Sequence, residues 1–299
     1  TGAGETADLA TATLTVGERE VALAVTFLPT ISGDAATVTI WPLHVDPPDL
    51  GAQGVSDETV QTLREVLRGA SGVMLVGCAD PSVRTTVLHG LVPADLRGKV
   101  WAVETLTAYR RSTMNQTLVR GAEMAQYVTA AMAAGADLIV VDDAARPDAM
   151  RAVLEAGRRS VVLAGHPESD IVGILSQAME SAGTALAASV LRGIVAARPI
   201  RLLCPACKHP VNESDGAFRD QRTFSSSGCE ACGFTGFKGR RILLETWMVD
   251  GDSRQMLRTG HVGAVFERIR QAGSAIRDAA RALVLDGLTS TGELARVAE

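Results

Sequence analysis

Aromatic residues are scarce: three Trp, two Tyr and six Phe make up 4% of the 299 residues. The core must therefore be built from Ala, Val, Leu and Ile, which suits helices layered on a sheet better than a β-sandwich. A surplus of positive charge is also missing. Lys plus Arg number 29 against 34 Asp plus Glu, a net charge of −5, which argues against a protein that coats DNA or RNA, because neutralising phosphates needs a basic surface. No apolar run approaches the roughly 20 residues that span a bilayer. Leu138–Val141 and Ser160–Gly165 are of core-strand length, and the longer run at 186–197 is interrupted by Arg192. Thr1 is preceded by no initiator Met and no basic-plus-apolar leader, so the chain reads as a trimmed piece of a longer, soluble protein. Its 46% apolar and 21% charged residues support a sizeable core, and the length suggests two folded units at about 150 residues each.

Cysteine is used sparingly but in a pattern. Cys204 and Cys207 form one CxxC pair, Cys229 and Cys232 a second, and Cys78 stands alone. Each CxxC turn aims two thiolates at one point, and two turns complete a closed tetrahedral site of four sulfurs. Gly228 and Gly233 flank the second pair and allow the tight backbone that such a knuckle needs. Structural Zn²⁺ is the expected occupant. A closed four-sulfur site has no open position for chemistry. Disulfides or a redox CxxC are the competing readings, and an otherwise cysteine-poor chain without a leader disfavours them. Cys78 is expected to be a buried, inert thiol.

Residues 11–42 alternate between apolar and polar in three stretches, with breaks at Gly17 and at 29–34. This predicts three antiparallel strands. Pro47, Pro48 and Gly51 mark a linker. Ser56 then opens a helix carrying Val60, Leu63, Val66 and Leu67 at helical spacing. From residue 71, short buried strands alternate with helices: strands at 72–77, 99–104, 137–143 and 160–165, with helices from about Val83, at 121–134 and at 147–156. Such alternation implies βαβ crossovers and a mostly parallel sheet. Ligands bind such sheets at the carboxyl ends of the strands, where Gly77, Glu104, Asp142, Asp143 and His166 fall. Residues 245–299 read as helical.

The succession Leu28-Pro29-Thr30, the strand Gly72–Gly77, Asp137–Val141, His166, the tetracysteine segment with Gly236-Phe-Lys-Gly-Arg-Arg-Ile242, and the terminal Gly287-Leu-Thr-Ser…Glu293-Leu-Ala-Arg-Val297 resembles the motor ATPases of type II secretion and type IV pilus assembly. The resemblance runs over essentially the whole chain. It implies an α/β, RecA-like sheet of the P-loop NTPase type, a preceding strand-rich segment, a zinc-binding insertion and a helical C-terminal region. The implied boundaries are 1–47 for the trailing strands of a PAS-like N-terminal half, 48–55 for a linker, 56–200 for the RecA-like domain, 201–245 for the zinc segment and 246–299 for the C-terminal helices. It also implies a ring of subunits, cytoplasmic or peripheral at the inner membrane, whose partners are apparatus proteins such as an inner-membrane platform protein.

The chemistry of that family is missing from the sequence. A P-loop follows G-x-x-x-x-G-K-[ST], in which glycines let backbone N–H groups wrap the phosphates, the Lys balances their charge and the hydroxyl holds Mg²⁺. From Gly77 the chain instead reads Gly-Cys-Ala-Asp-Pro-Ser-Val-Arg-Thr-Thr. Ser82 replaces the second Gly, Val83 the Lys, and Arg84 the Mg²⁺-binding hydroxyl, ahead of Thr85. Asp80 adds a negative charge and Pro81 deletes a donor. Arg84 lies one residue, or about 100° of helix, from the lysine position and is expected to point elsewhere. The family's Glu-Asp-Pro-x-Glu box retains only Glu104, its Gly-Glu pair reads Asp142-Asp143, and its histidine box keeps His166 alone. Residues 21–41 hold no Arg or Lys where the family places phosphate-binding arginines, with Ala24, Ala35 and Thr39 near the matching positions.

These features define a pseudo-ATPase, a scaffold or regulatory subunit that assembles with itself or with a true motor ATPase. Glu104, Asp142, Asp143 and His166 are then relics, and ATP and Mg²⁺ are not expected to bind. The alternative is an active or nucleotide-binding ATPase with Asp143 as base, His166 as sensor and Arg84 or Lys99 as cation. A zinc-ribbon nucleic-acid module is the third reading, resting on Lys238, Arg240 and Arg241; those basic residues fit carboxylates within the protein or at a subunit contact better.

Overall fold

In the computed structural model, the described residues are 8–17, 19–31, 33–44, 46, 48–212, 218, 221–272 and 275–298. The alternating N-terminal stretches form β1 (Asp8–Val16), β2 (Arg19–Thr30) and β3 (Gly33–Pro42), an antiparallel sheet in the order β1-β2-β3. β2 runs through Pro29 to Thr30, so the break is narrower than the sequence suggested. Beyond this sheet, His44 bridges the segment at Tyr109, its N–H donating to Ala108 O at 2.9 Å and its carbonyl accepting from Arg110 N at 2.7 Å.

Ser56 caps α1 (Asp57–Leu67) by accepting from Thr59 N. The central sheet then begins with β4 (Gly72–Gly77). It continues through α2 (Pro81–Leu91), β5 (Val100–Glu104), β6 (Asn115–Leu118), α3 (Met124–Ala133), β7 (Leu138–Val141), α4 (Pro147–Ala156), β8 (Val161–His166), α5 (Ile171–Ala182) and α6 (Thr184–Val190). Two long strands follow, β9 (Leu191–Leu203) and β12 (Phe237–Met248), with the hairpin β10 (Lys208–Asn212) and β11 (Arg222–Ser226) between them. The chain closes with α7 (Gly251–Arg258), α8 (Val262–Gln271), α9 (Ala275–Leu285) and α10 (Thr291–Ala298).

The seven-stranded sheet has the order β12-β9-β4-β8-β7-β5-β6. Every neighbouring pair is parallel except β12 and β9. Alternation along the central strands feeds two cores. Val73, Leu75, Ile139, Val141, Val162 and Ala164 face one, with α3 to α6. Met74, Val76, Leu138, Val140, Val161 and Leu163 face the other, with α1 and α2. Strands buried on both faces read as continuous apolar runs, which is why β4, β7 and β8 were legible in the sequence.

Three expectations need correction. Residues 245–299 are not wholly helical, because β12 extends to Met248. The expected boundaries at 200 and 245 also fall inside β9 and β12, which pair with each other over residues such as Ile242 and Pro199. The four-cysteine segment is thus an insertion between two adjacent sheet strands. Both strands carry arginines at their half-covered ends (Arg198, Arg201, Arg240, Arg241), so neither shows a clean apolar run. Helix α2 begins at Pro81, two residues earlier than expected, because Asp80 caps it. Among the described residues no single helix is long and apolar enough to cross a membrane.

The C-terminal signature has a structural reason. Glu293 is buried on α10 and accepts from Arg201 of β9 at 2.5 Å and from Arg296 at 3.0 Å. Thr289 Oγ1 donates to Arg201 O at 2.7 Å, and Arg198 donates to Val297 O at 2.6 Å. Burial alone would raise the Glu293 carboxyl, but the two guanidinium groups outweigh it and hold it at about 2. This lock fastens the last helix to the central sheet.

Candidate functional site

The carboxyl ends of β4, β5, β7 and β8 converge as the strand pattern implies, bringing Gly77, Glu104, Asp142, Asp143 and His166 to one edge of the sheet. The loop after β4 is short and tightly held. Cys78 N donates to His166 O at 2.9 Å, and Ala79 N donates to Ser169 Oγ at 3.0 Å. Gly77 is required by a close approach: a Cβ there would stand 2.3 Å from Glu168 O and from Ile174 Cδ1. Cys78 is buried, and burial pushes its thiol up to about 11, which keeps it neutral and unreactive.

At the N-terminus of α2, Asp80 turns its carboxylate onto the helix. Its Oδ1 accepts from Ser82 N at 2.8 Å, Ser82 Oγ at 2.7 Å and Val83 N at 3.2 Å. Its Oδ2 faces Arg240 of β12, whose guanidinium lies 3.4 Å away and also donates to Ser82 Oγ at 3.2 Å. Arg240 thus meets a carboxylate within the chain. Val83 is wholly buried in the α1/α2 core, and Thr85 is buried beside it.

Arg84 turns inward from α2 toward the strand ends and is buried. Nε donates to Asp142 O at 2.9 Å, one Nη to Cys78 O at 2.9 Å, and the other Nη to Asp143 Oδ2 at 3.0 Å. With Val83 drawn into the core, the next residue faces β8, and Gly165 gives it room. A Cβ on Gly165 would lie 2.9 Å from Arg84 Cδ and 2.2 Å from Asp142 O.

Each acidic group at this edge already has a partner in the chain. Asp143 takes Arg84 on one oxygen and Ala145 N at 2.8 Å on the other. Asp142 Oδ2 accepts from both Thr105 N and Thr105 Oγ1 at 2.6 Å, while its buried Oδ1 meets no donor among the described residues. Burial, aided by the nearby Glu104 and Asp143 charges, raises the Asp142 carboxyl to about 7 despite the Thr105 bonds. Glu104 is fully buried, with His89 Nε2 at 2.6 Å and Gln116 Nε2 at 3.0 Å. His166 accepts from Glu168 N on Nδ1 at 3.0 Å, which leaves the proton on Nε2, and burial lowers its pKa. Lys99 does not reach this edge. It precedes β5 at the opposite end of the sheet, where its Nζ donates to Ala134 O at 2.7 Å. His89, Thr105, Gln116 and Ser169 went unnoticed in the sequence, since each acts through a partner distant along the chain.

The four cysteines come together in the insertion. Their sulfurs all lie within 4.8 Å of one another, and three pairs stand at 3.8–4.0 Å. Sulfurs bound to one tetrahedral ion at about 2.3 Å would be roughly 3.8 Å apart. Disulfide sulfurs would stand at about 2.05 Å, and all four thiols are free. Gly233 adopts φ +58° as the second CxxC closes, and Cys229 N and Gly236 N donate to Cys232 Sγ at 3.2 and 3.3 Å. Burial would raise the Cys232 thiol, but these donors prevail and lower it to about 6. The group has the spacing and donor set to hold one metal ion.

Residues 8–296 match the family described as "Type II/IV secretion system protein". The chain is 25% identical over 300 residues to type II secretion system protein E of Pseudomonas aeruginosa, covering 95% of this chain and 60% of that protein. It is 24% identical over 305 residues to the type IV pilus assembly ATPase PilB of Thermus thermophilus, covering 95% and 34%. The chain therefore spans three-fifths or less of the length of these relatives. Its fold is shared with the ATPase DotB of Legionella pneumophila (TM-score 0.69, 14% identity, 98% of this chain and 77% of that one). It is also shared with the pilus retraction motor PilT in its ADP-bound structure (TM-score 0.67, 14% identity, 97% and 77%). Sheet order, insertion and terminal lock thus sit on a chain that belongs to the type II/IV secretion system protein family.

Proposed function

We propose that this chain is a catalytically degenerate member of its family, acting as a scaffold or regulatory subunit of a type II secretion or type IV pilus apparatus. The observation that carries this reading is the fate of residue 83. A phosphate-binding loop needs a cation there, and this chain has an apolar side chain packed wholly into the α1/α2 core. Removing a preorganised charge from a phosphoryl-transfer site costs on the order of 10³-fold in rate. Asp80 adds a charge of the wrong sign beside it.

The features that serve assembly are intact. The terminal lock around Glu293 is complete, and the four cysteines have the geometry for a structural Zn²⁺. In this reading the units meet as proposed at the linker 48–55, and the RecA-like part takes in β9 and β12 around the zinc insertion. Partners are apparatus proteins at the cytoplasmic face of the inner membrane, namely a platform protein, other copies, or an active motor ATPase.

A second reading keeps a nucleotide site with Arg84 as its cation, favoured by the guanidinium 3.0 Å from Asp143. All three of its donor nitrogens are already engaged by the chain, which weighs against it. Calorimetric titration with Mg²⁺-ATP, paired with phosphate release, separates the two on zinc-replete protein. The first predicts neither heat nor phosphate. Turnover would sink it, and binding without turnover would redefine the chain as a nucleotide-gated switch.

A further inference from the structure

We infer that the strand-end site is closed by two of the chain's own charged groups: the Asp80 carboxylate takes the place of a phosphate at the N-terminus of α2, and the Arg84 guanidinium takes the place of the metal ion. The inference rests on the reading of the chain as non-catalytic and deepens it. That reading says what the site lacks; this one says what fills it.

The donors that a phosphate would seek at a helix N-terminus are backbone N–H groups and a loop hydroxyl. Here Ser82 N, Val83 N and Ser82 Oγ all converge on one oxygen of Asp80. An ordinary helix cap would end there. In this chain the second oxygen also meets a cation, Arg240, brought in by a strand 160 residues away. The negative charge is thus held from two sides, as a bound anion would be.

The cation side has the same logic. In a P-loop site, Mg²⁺ links the loop hydroxyl to an acidic residue at a neighbouring strand end. Arg84 replaces that hydroxyl in the sequence, and its guanidinium joins the loop carbonyl of Cys78 to the carbonyl of Asp142 and the carboxylate of Asp143. A planar fork with fixed donors is suited to such bridging. Gly165 leaves the space through which the side chain passes. With both places taken, loop 77–82, α2 and the β7 end are tied together without any ligand. The site stays in one state, and surfaces that depend on it do not cycle.

Two variants test this. Pro81→Ser/Ser82→Gly/Val83→Lys restores loop donors and the lysine but keeps both occupants. The second variant adds Asp80→Gly and Arg84→Thr. With Mg²⁺-ATP as the calorimetric probe, the first is expected to stay silent and the second to bind at least about tenfold more tightly. Equal binding by both overturns the inference, as does silence from a folded second variant. Heat from the wild-type protein without phosphate release would overturn the inference and leave the chain non-catalytic, whereas phosphate release by the wild type would undo the non-catalytic reading itself. Should the second variant not fold, amide hydrogen exchange decides. Ser82 and Val83 amides are expected to be protected in the wild type, unchanged by Mg²⁺-ATP, and to exchange on the order of five- to tenfold faster in Asp80→Ala. Equal exchange in the two proteins overturns the inference.

Discussion

Replacing Asp142 with Asn is expected to stabilise the protein, and only above pH 4. Burial lifts the Asp142 carboxyl from an ordinary value near 3.8 to about 7. Between these values the unfolded chain has released the proton and the folded chain has kept it. The folded state then loses about 1.4 kcal/mol per pH unit. Over the interval this amounts to about 4 kcal/mol, fully developed by pH 7 and absent below pH 4. The carboxamide of the Asp142→Asn variant has no proton to lose. Its oxygen can still accept from Thr105 N and Thr105 Oγ1, and its NH₂ group replaces the partnerless Oδ1 of the acid. Urea denaturation at pH 4.5, 6 and 8 reads the effect as a gap between variant and wild type that widens with pH. A variant less stable at pH 8, or a gap that does not change with pH, would refute the reasoning. It would mean that Asp142 is held as a carboxylate, the form a metal-binding acid must take.

The terminal lock responds to acid with the opposite sign. Glu293 sits at about 2 in the folded chain, so its contribution is present above about pH 4.5 and lost as pH falls through 2. Glu293→Gln should cost about 2 kcal/mol at neutral pH, allowing for screening at the half-exposed Arg201 and Arg296, and the gap between wild-type and variant denaturation curves should be smaller at pH 3 than at pH 7. His89→Ala leaves Glu104 buried without its imidazole partner and should cost about 3–5 kcal/mol, with Glu104→Gln in the same chain restoring part of the loss. Chelating the metal should lower the thermal midpoint by roughly 5 °C or more, and a Cys229→Ser protein should no longer respond to the chelator. An unchanged midpoint in the wild type would remove the structural role given to the four cysteines.

Much of the architecture was legible in the amino-acid order because the forces behind it are local or periodic. Strands buried on both faces must be continuous apolar runs, so β4, β7 and β8 stood out, and strict alternation marked β1 to β3. Two CxxC turns carry their own geometry, so the cysteine cluster needed no knowledge of the fold. The apolar Val83, six residues after Gly77, was equally plain. The long strands β9 and β12 were hidden because arginines interrupt their half-covered ends, and their pairing spans the whole cysteine insertion.

Direction was what the tertiary structure alone decided. Helical geometry turns Arg84 about 100° from Val83, but whether that points to solvent or to the strand ends depends on where α2 lies against β8. It also depends on the missing Cβ at Gly165. The partner of Asp80 lies 160 residues along the chain, that of Glu104 fifteen residues away, and the charge state of Asp142 follows from burial. The order of residues thus determined which groups are present. Packing determined which of those groups meet, because burial and distance set the charge of each one.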